Sequence, residues 1–441
     1  MATAQCRGGW AGLSGPFRRS TRAMPNSSGP RSRKQTSGAA RALPLAVTRL
    51  PAAAQPPLEM VERKGLGHPD TICDAVAEEF SIALSRFYRR RFGMVMHHNV
   101  DKVLLRGGSA RARFGGGRIV EPIELYLCGR ATERYKGVDV PVRTLAIEAA
   151  RGWIARHVPG LDPARDVRVH CLVRPGSADL VALFERAHAT GTWLANDSSI
   201  GVGFAPLSPI ERLVLDVDRE LRSAAARRAV PGIGPDVKIM AAGRGREASL
   251  TVACAFVGRH VRDIDDYVAQ KRRLAARLAA APLSESGVLC RDIEVNAPDD
   301  PATGSIYLTV SGTSAEAGDD GSTGRGNRIN GLIAPGRPMT LEAAAGKNPV
   351  SHVGKLYNIA ARAIAEACVS EIREVERCEC WLASRIGRPV VDPHSIMLRV
   401  GIGRRGSAAG LDGKLREIAR RELDGLRETW RGLLAHRIAL Y

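Results

Sequence analysis

Beyond residue 57 the hydrophobic positions recur with two different periods. In PDTICDAVAEEFSIALSRFY, Ile72, Val76, Phe80, Ala83 and Phe87 return every three to four residues, which predicts a helix with one buried face. Pro69 suits its first turn. Short apolar pieces at Ile123–Gly129, Val237–Gly243, Ser249–Gly258 and Ser305–Gly312 predict strands. Further helices are expected over Val353–Val375 and Gly410–Leu434. Successive strands often lack a long crossover between them, which favours an α+β layout over a regular parallel βαβ sheet. No repeat of fixed short period is present.

Residues 1–57 follow neither period. They are rich in Gly, Ser, Pro and Ala and carry nine basic residues, from Arg7 to Arg49, with no acid. The expectation is a basic disordered extension over 1–57, followed by one catalytic unit over 58–441. A transit peptide, a twin-Arg signal at Arg18-Arg19 and a true start near Met60 are alternatives for that extension. The extension holds nine of the +19 net charges, leaving +10 for the rest of the chain. Such a surplus suits phosphate-rich ligands or nucleic acid. With 5% aromatic residues, stacking platforms for bases are scarce, so nucleic acid is the weaker reading. No apolar run approaches the roughly 20 residues that span a bilayer, and no membrane association is expected. The nine cysteines are scattered, and Cys378-Glu379-Cys380 lacks the second pair of a zinc site. Reduced thiols in a cytoplasmic protein are the expectation.

The candidate chemistry lies in five stretches. GDDGSTGRGNRING sets Asp319 and Asp320 just before Gly324, Arg325 and Arg328, and GKNPVSHVGK adds Lys347, His352 and Lys355. Acid, base and bare backbone at this density exceed what a surface turn needs and suit a polyvalent, metal-bound anion. GLGHPDTICD places His68 and Asp70 where a glycine turn enters a helix, with Asp74 one turn on. A helix start offers free N–H groups to anions, and two acids at i and i+4 repel unless a cation is near. Taken alone, Asp70 could simply cap the helix and His68 bond locally. GPDVKIMAAG puts Asp236 and Lys238 two apart on a strand start, on one face by alternation. LANDSSIGVGFAP supplies Asp197. No Walker A loop exists, and the G-x-G-x-x-G at Gly401, Gly403 and Gly406 lacks the following βαβ unit that a dinucleotide site requires.

These strings together resemble the archaeal-type S-adenosylmethionine synthetases (methionine adenosyltransferases). VERKGLGHPDTICDAVAEEF, ANDSSIGVGFAPLSPIERLVL, PDVKIMAAG and the long stretch from TVSGTSAEAGDDGSTGRGN to GKNPVSHVGKLYN carry the likeness, which runs from about Glu59 to the C-terminal region. The resemblance implies three similar α+β subdomains around a pseudo-threefold axis, and a homodimer whose flat sheets pack together with active sites between the subunits. It implies attack of the methionine sulfur on C5′ of ATP, then cleavage of the expelled triphosphate to pyrophosphate and phosphate, with Mg²⁺ and K⁺ as ions. His68, Lys238, Arg325, Lys347 and Lys355 are then the expected catalytic cations and donors. Asp197, Asp236, Asp319, Asp320, Gly176, Ser177, Asp179 and Gly324 are expected around ATP and methionine, and Asp70 and Glu62 at the metal.

One departure stands out. The family tends to have G-Q-G-S-x-D-L where this chain reads Arg174-Pro175-Gly176-Ser177-Ala178-Asp179-Leu180. It bears on nucleotide affinity and motivates a rival reading, an altered paralogue that binds ATP or methionine without this turnover.

Overall fold

The computed structural model describes residues 43–50, 58–176, 178–280, 287–403 and 410–441, without the side chains of 178–183. Ser177 and the Asp179 side chain, and Gly406, therefore lie outside the described residues. The elements run β1 (Leu45–Leu50), β2 (Glu59–Lys64), α1 (Pro69–Phe92), β3 (His98–Arg106), β4 (Ser109–Arg113), β5 (Gly116–Glu121), β6 (Ile123–Ala131), β7 (Arg134–Tyr135), β8 (Val138–Asp139), α2 (Val142–His157), β9 (Val167–Pro175), α3 (Ala178–Thr190) and β10 (Ile200–Ala205). There follow α4 (Pro209–Arg222), α5 (Ala224–Ala229), β11 (Ile233–Arg244), β12 (Glu247–Val257), α6 (Ile264–Ala280), β13 (Leu289–Val295), β14 (Leu308–Thr309), β15 (Gly321–Ser322), α7 (Val353–Glu371), β16 (Val375–Ala383), β17 (Ser395–Ile402) and α8 (Leu411–Leu434).

Three sheets organise this mixed α+β chain, and they share one pairing pattern. In the orders β9–β6–β3–β15, β13–β12–β11–β2 and β1–β17–β16–β10, the first pair is parallel and the next two are antiparallel. Each sheet buries one face beneath its own helices. The core of the first combines Phe80, Leu84 and Trp153 of α1 and α2 with Leu125 and Leu127 of β6. The second packs Leu213 and Leu274 of α4 and α6 on Ile239 and Val252. The third packs Leu356 and Leu415 of α7 and α8 on Cys380 and Leu398. Pleated alternation leaves large apolar side chains on the opposite faces: Met60, Leu104, Leu172, Ile200, Leu289 and Met397 are all exposed. Among the described residues no helix is long and apolar enough to cross a membrane.

Three expectations change. The boundary at residue 57 falls too late, because Leu45–Leu50 forms β1, in parallel register with β17 from Ile396 to Gly401. Leu43 is buried beside it, and Leu45 and Val47 pack against the third core. Ser305–Gly312 forms only the two-residue β14, because Thr309 Oγ1 accepts the Gly312 amide and Gly312 turns through φ +89°. The helix beginning at Val353 ends at Glu371, four residues early, since Val375 already opens β16.

The β1 pairing leads to a test. A chain beginning at Met60 leaves the β17 edge without its partner, exposing unpaired N–H and C=O groups and the apolar surface under Leu43, Leu45 and Val47. Thermal unfolding should give the same midpoint for the full chain and for one beginning at Leu43, and a midpoint several degrees lower, with aggregation, for one beginning at Met60. Equal midpoints for all three would remove β1 from the fold's essential elements.

Candidate active site

The helix α1 is the axis of the site. Its N-cap is His68, whose Nδ1 accepts the Asp70 amide at 3.2 Å. The turn before it is bonded to β11: the Gly65 and Gly67 amides donate to Val237 O (2.7 Å) and Pro235 O (2.9 Å). A Cβ on Gly67 would lie 2.5 Å from the Asp236 nitrogen, so only glycine lets the turn approach this closely. The HPD turn and the strand start that carries Asp236 are thereby locked together.

Along α1, Asp70, Asp74 and Glu78 follow at intervals of four, all buried. Each accepts a backbone N–H from a glycine-rich loop. Ser322 N donates to Asp70 Oδ1 (2.9 Å), Gly324 N to Asp74 Oδ1 (2.8 Å) and Gly346 N to Glu78 Oε2 (3.0 Å). One rigid helix thus sets the separation of the loop bearing Arg325 and the loop bearing Lys347.

Two groups of candidate residues result. The first surrounds the start of α1. Lys64 Nζ lies 2.8 Å from Asp70 Oδ2 and 3.6 Å from Glu62 Oε1, and it donates to Arg325 O at 2.9 Å. Lys238 Nζ sits 3.7 Å from Glu62 Oε2. Asp236 Oδ2 accepts from Ser314 N (2.8 Å) and Ser314 Oγ (2.7 Å), and the same hydroxyl lies 2.9 Å from Asp319 Oδ2. Asp320 is held apart from this cluster, accepting the Gly107 amide at 2.9 Å. The Arg325 side chain is exposed, and among the described residues it has no carboxylate within ion-pair distance.

Burial shapes the electrostatics here. It lowers the His68 imidazole, with Asp236 opposing and Lys64 assisting. Burial lifts Asp236, with His68 opposing. It would also lift Asp70, but the Lys64 ammonium and the Ser322 amide outweigh it and hold that carboxyl below its ordinary value. Asp74, without such a cation in contact, is pushed up to about 7 by burial, against the Gly324 amide and Arg328.

The second group lies along β3. Lys347 bonds Asp101 and lies 3.2 Å from Glu342 Oε2, and Asn99 bridges to Lys347 through the backbone. A cavity of about 400 Å³ opens beside it, lined by Asn99, Asp101, Asn196, Asp197 and His352 among others. Among the described residues, the Oδ1 atoms of Asn99 and Asn196 are buried without a hydrogen-bond partner. Burial and Lys347 hold His352 well below its ordinary range. Gly176 abuts His97, another wall of this cavity; a Cβ there would meet the ring at 2.6 Å. Because Leu105 of β3 pairs with Gly321, six residues separate Asn99 from the first group, about 20 Å at strand rise.

Lys355 borders the second group: its charge acts on His352, and Lys347 and Asp101 act on it. It is fully buried, with both Glu78 oxygens at 2.7–2.8 Å, so the expected cradle cation is here bonded to a carboxylate. Lys64, Glu78, Asp101 and Glu342 escaped the sequence reading. Their signals were present but slight: Lys64 shares a strand face with Glu62, and Glu78 extends the Asp70–Asp74 spacing by one turn.

A family model described as S-adenosylmethionine synthetase (AdoMet synthetase) matches residues 45–437. The chain belongs to the S-adenosylmethionine synthetase family. It is 49% identical over 388 residues to a protein of Aquifex aeolicus named as a probable S-adenosylmethionine synthase, covering 87% of this chain and 95% of that relative. It is 42% identical over 391 residues to the S-adenosylmethionine synthase of Methanocaldococcus jannaschii, covering 87% and 96%. It is 45% identical over 392 residues to that of Aeropyrum pernix, covering 87% and 95%. The β1 strand lies inside the family match, in agreement with its place in the fold.

Proposed function

We propose that this chain is a methionine adenosyltransferase, forming S-adenosylmethionine from ATP and L-methionine and hydrolysing the triphosphate to pyrophosphate and phosphate. The observation that carries this reading is the convergence of His68, Asp70, Asp236 and the Arg325 loop on the N-terminus of α1. A triphosphate leaving group needs fixed positive charge where its own charge develops. Lys238, the exposed Arg325 side chain, the α1 N-terminus and the loop amides supply it.

His68 Nδ1 accepts a backbone hydrogen, so in the neutral ring Nε2 carries the proton. The imidazole can then donate to the leaving O5′ as the C5′–O bond breaks. Methionine's thioether has no proton to lose, so the first step requires no base, and alignment dominates. Asp236, fixed by Ser314, orients the ribose. Asp197, with Asp319 or Asp320, would recognise the methionine ammonium; Gly176, Ser177 and Asp179 would lie along the nucleotide.

Asp70 and Glu62 fit Mg²⁺. They present hard carboxylate oxygens on either side of Lys64, whose ammonium already occupies a cation's place, and Mg²⁺ commonly combines one or two carboxylates with substrate phosphates. When bound it would neutralise phosphate charge; K⁺ completes the proposed ion set.

We further propose a homodimer built on a pseudo-threefold subunit. The three like-patterned sheets favour the repeat, and their exposed apolar faces favour cover by a second copy. A dimer would also bring the Lys347–Asp197 group of one chain to the His68–Arg325 group of the other. A cytoplasmic location accords with eight free cysteines among the described residues.

The test is mass-spectrometric detection of S-adenosylmethionine from ATP, L-methionine, Mg²⁺ and K⁺, with phosphate and pyrophosphate counted. Equimolar products support the reading. Ligand binding without product would point instead to the altered paralogue, with Arg174-Pro175 as the first position to revert.

A further inference from the structure

A cavity of about 410 Å³ opens where the end of α2, the α4–α5 corner and the turn after β12 meet. Arg156, Arg222, Arg227 and Arg259 line it from these separate elements, and Asp218 is the one carboxylate among its lining residues. That carboxylate is already engaged, 2.9 Å from Arg63 and 2.8 Å from Arg222. Arg156 reaches Glu79 at 3.4 Å from an exposed position. Among the described residues, neither Arg227 nor Arg259 has a carboxylate within ion-pair distance; Arg259 donates to His260 Nε2 instead, at 3.0 Å.

The surroundings are those of a positive pocket. Burial, then the Arg156 charge, holds His157 below its ordinary value, and burial with Arg259 does the same to His260. Leu66, Pro235, Val237 and Ser311 form the inner wall, whereas His68, Asp236 and Arg325 do not line it. The volume falls within the range of small-molecule sites. Four guanidinium groups on the wall of one hollow, two of them without a carboxylate partner among the described residues, match a ligand with several anionic oxygens in a row, since each fork can take two of them.

We propose that this cavity is a second anion site that takes a phosphate chain, either free pyrophosphate or the tail of a nucleoside triphosphate. It is separate from the active site, and its occupancy does not depend on the transferase reading.

Calorimetric titration of the full chain with inorganic pyrophosphate tests it, repeated in the presence of a non-hydrolysable ATP analogue. The wild type should bind pyrophosphate at two sites per chain. Arg227→Gln/Arg259→Gln should weaken one of them by about tenfold or more, since a hydrogen bond to a charged group contributes about 1.5–3 kcal/mol. Its kcat for S-adenosylmethionine formation should stay unchanged. Arg325→Ala should weaken the other site and spare this one. Displacement of the cavity-bound pyrophosphate by the analogue identifies a nucleotide tail as the occupant; its retention identifies the free polyphosphate. Two intact sites in the double variant, or a single wild-type site lost in Arg325→Ala, would overturn the proposal. If circular dichroism shows the double variant unfolded, Arg259→Gln alone gives the same reading. A chain that formed no S-adenosylmethionine, yet lost one pyrophosphate site in the double variant, would sink the transferase reading and leave this one standing.

Discussion

Arg325→Ala is expected to lower turnover by about a hundred- to a thousand-fold while leaving the unfolding midpoint unchanged. The side chain is exposed and, among the described residues, faces no carboxylate, so its removal breaks no ion pair. The loop beneath it is fixed by backbone contacts that the substitution keeps: Lys64 Nζ to Arg325 O at 2.9 Å, Arg325 N to Ser322 O at 3.3 Å and Gly324 N to Asp74 at 2.8 Å. What disappears is a charge aimed at the leaving triphosphate. Losing one preorganised electrostatic group of this kind costs about 2.7–4 kcal/mol of barrier. Initial rates of S-adenosylmethionine formation, paired with thermal unfolding of the same preparations, check it. A near-normal kcat would remove Arg325 from the site. Lys347 makes the instructive contrast: it is buried and bonded to Asp101, so its loss strands a buried carboxylate, and its effect on rate cannot be separated from one on folding.

The difference between Arg325 and Lys347 marks how far the sequence could be read. Residue types and glycine density pointed to both, because phosphate chemistry demands cations and close backbone. The helix from Pro69 and the strands at Ile123 and Val237 were legible because their periodicity is long and regular. The partners were not. Nothing near Lys347 in sequence indicates Asp101, which comes 246 residues earlier, and charge alone does not separate a cation that meets a ligand from one that meets a buried acid. The β1 strand was hidden for a related reason. LAVTRL is six residues among Pro, Ala and Arg, too short for its alternation to register, and it becomes a strand only because β17 offers an edge. Tertiary context decided both cases.

The acid series on α1 gives this a further step. Asp70, Asp74 and Glu78 read as a repulsive i, i+4 run on an isolated helix. In the fold each carboxylate has acquired backbone donors from a distant loop, and two of them a lysine. The unfavourable local pattern is the imprint of those loops on the helix, and local rules break where the site is built.

The largest stability effect is expected at Lys355. Its ammonium is fully buried between the two Glu78 oxygens, at 2.7 and 2.8 Å, and burial lowers its pKa against the pull of that carboxylate. Removing one partner of a buried pair leaves the other charge without compensation, which typically costs about 3–5 kcal/mol. Lys355→Ala should therefore lose that much in urea unfolding. Glu78 also holds the Gly346 amide beside Lys347, so part of the loss should appear as loosening of that loop. The double variant Lys355→Met/Glu78→Gln separates charge from packing. Methionine refills most of the volume, and the glutamine oxygen can still accept the Gly346 N–H, so most of the stability should return, with a clear coupling between the two sites. If Lys355→Ala instead folds as stably as the wild type and loses only turnover, Lys355 meets the ligand after all, and the pair with Glu78 is not what holds this part of the fold.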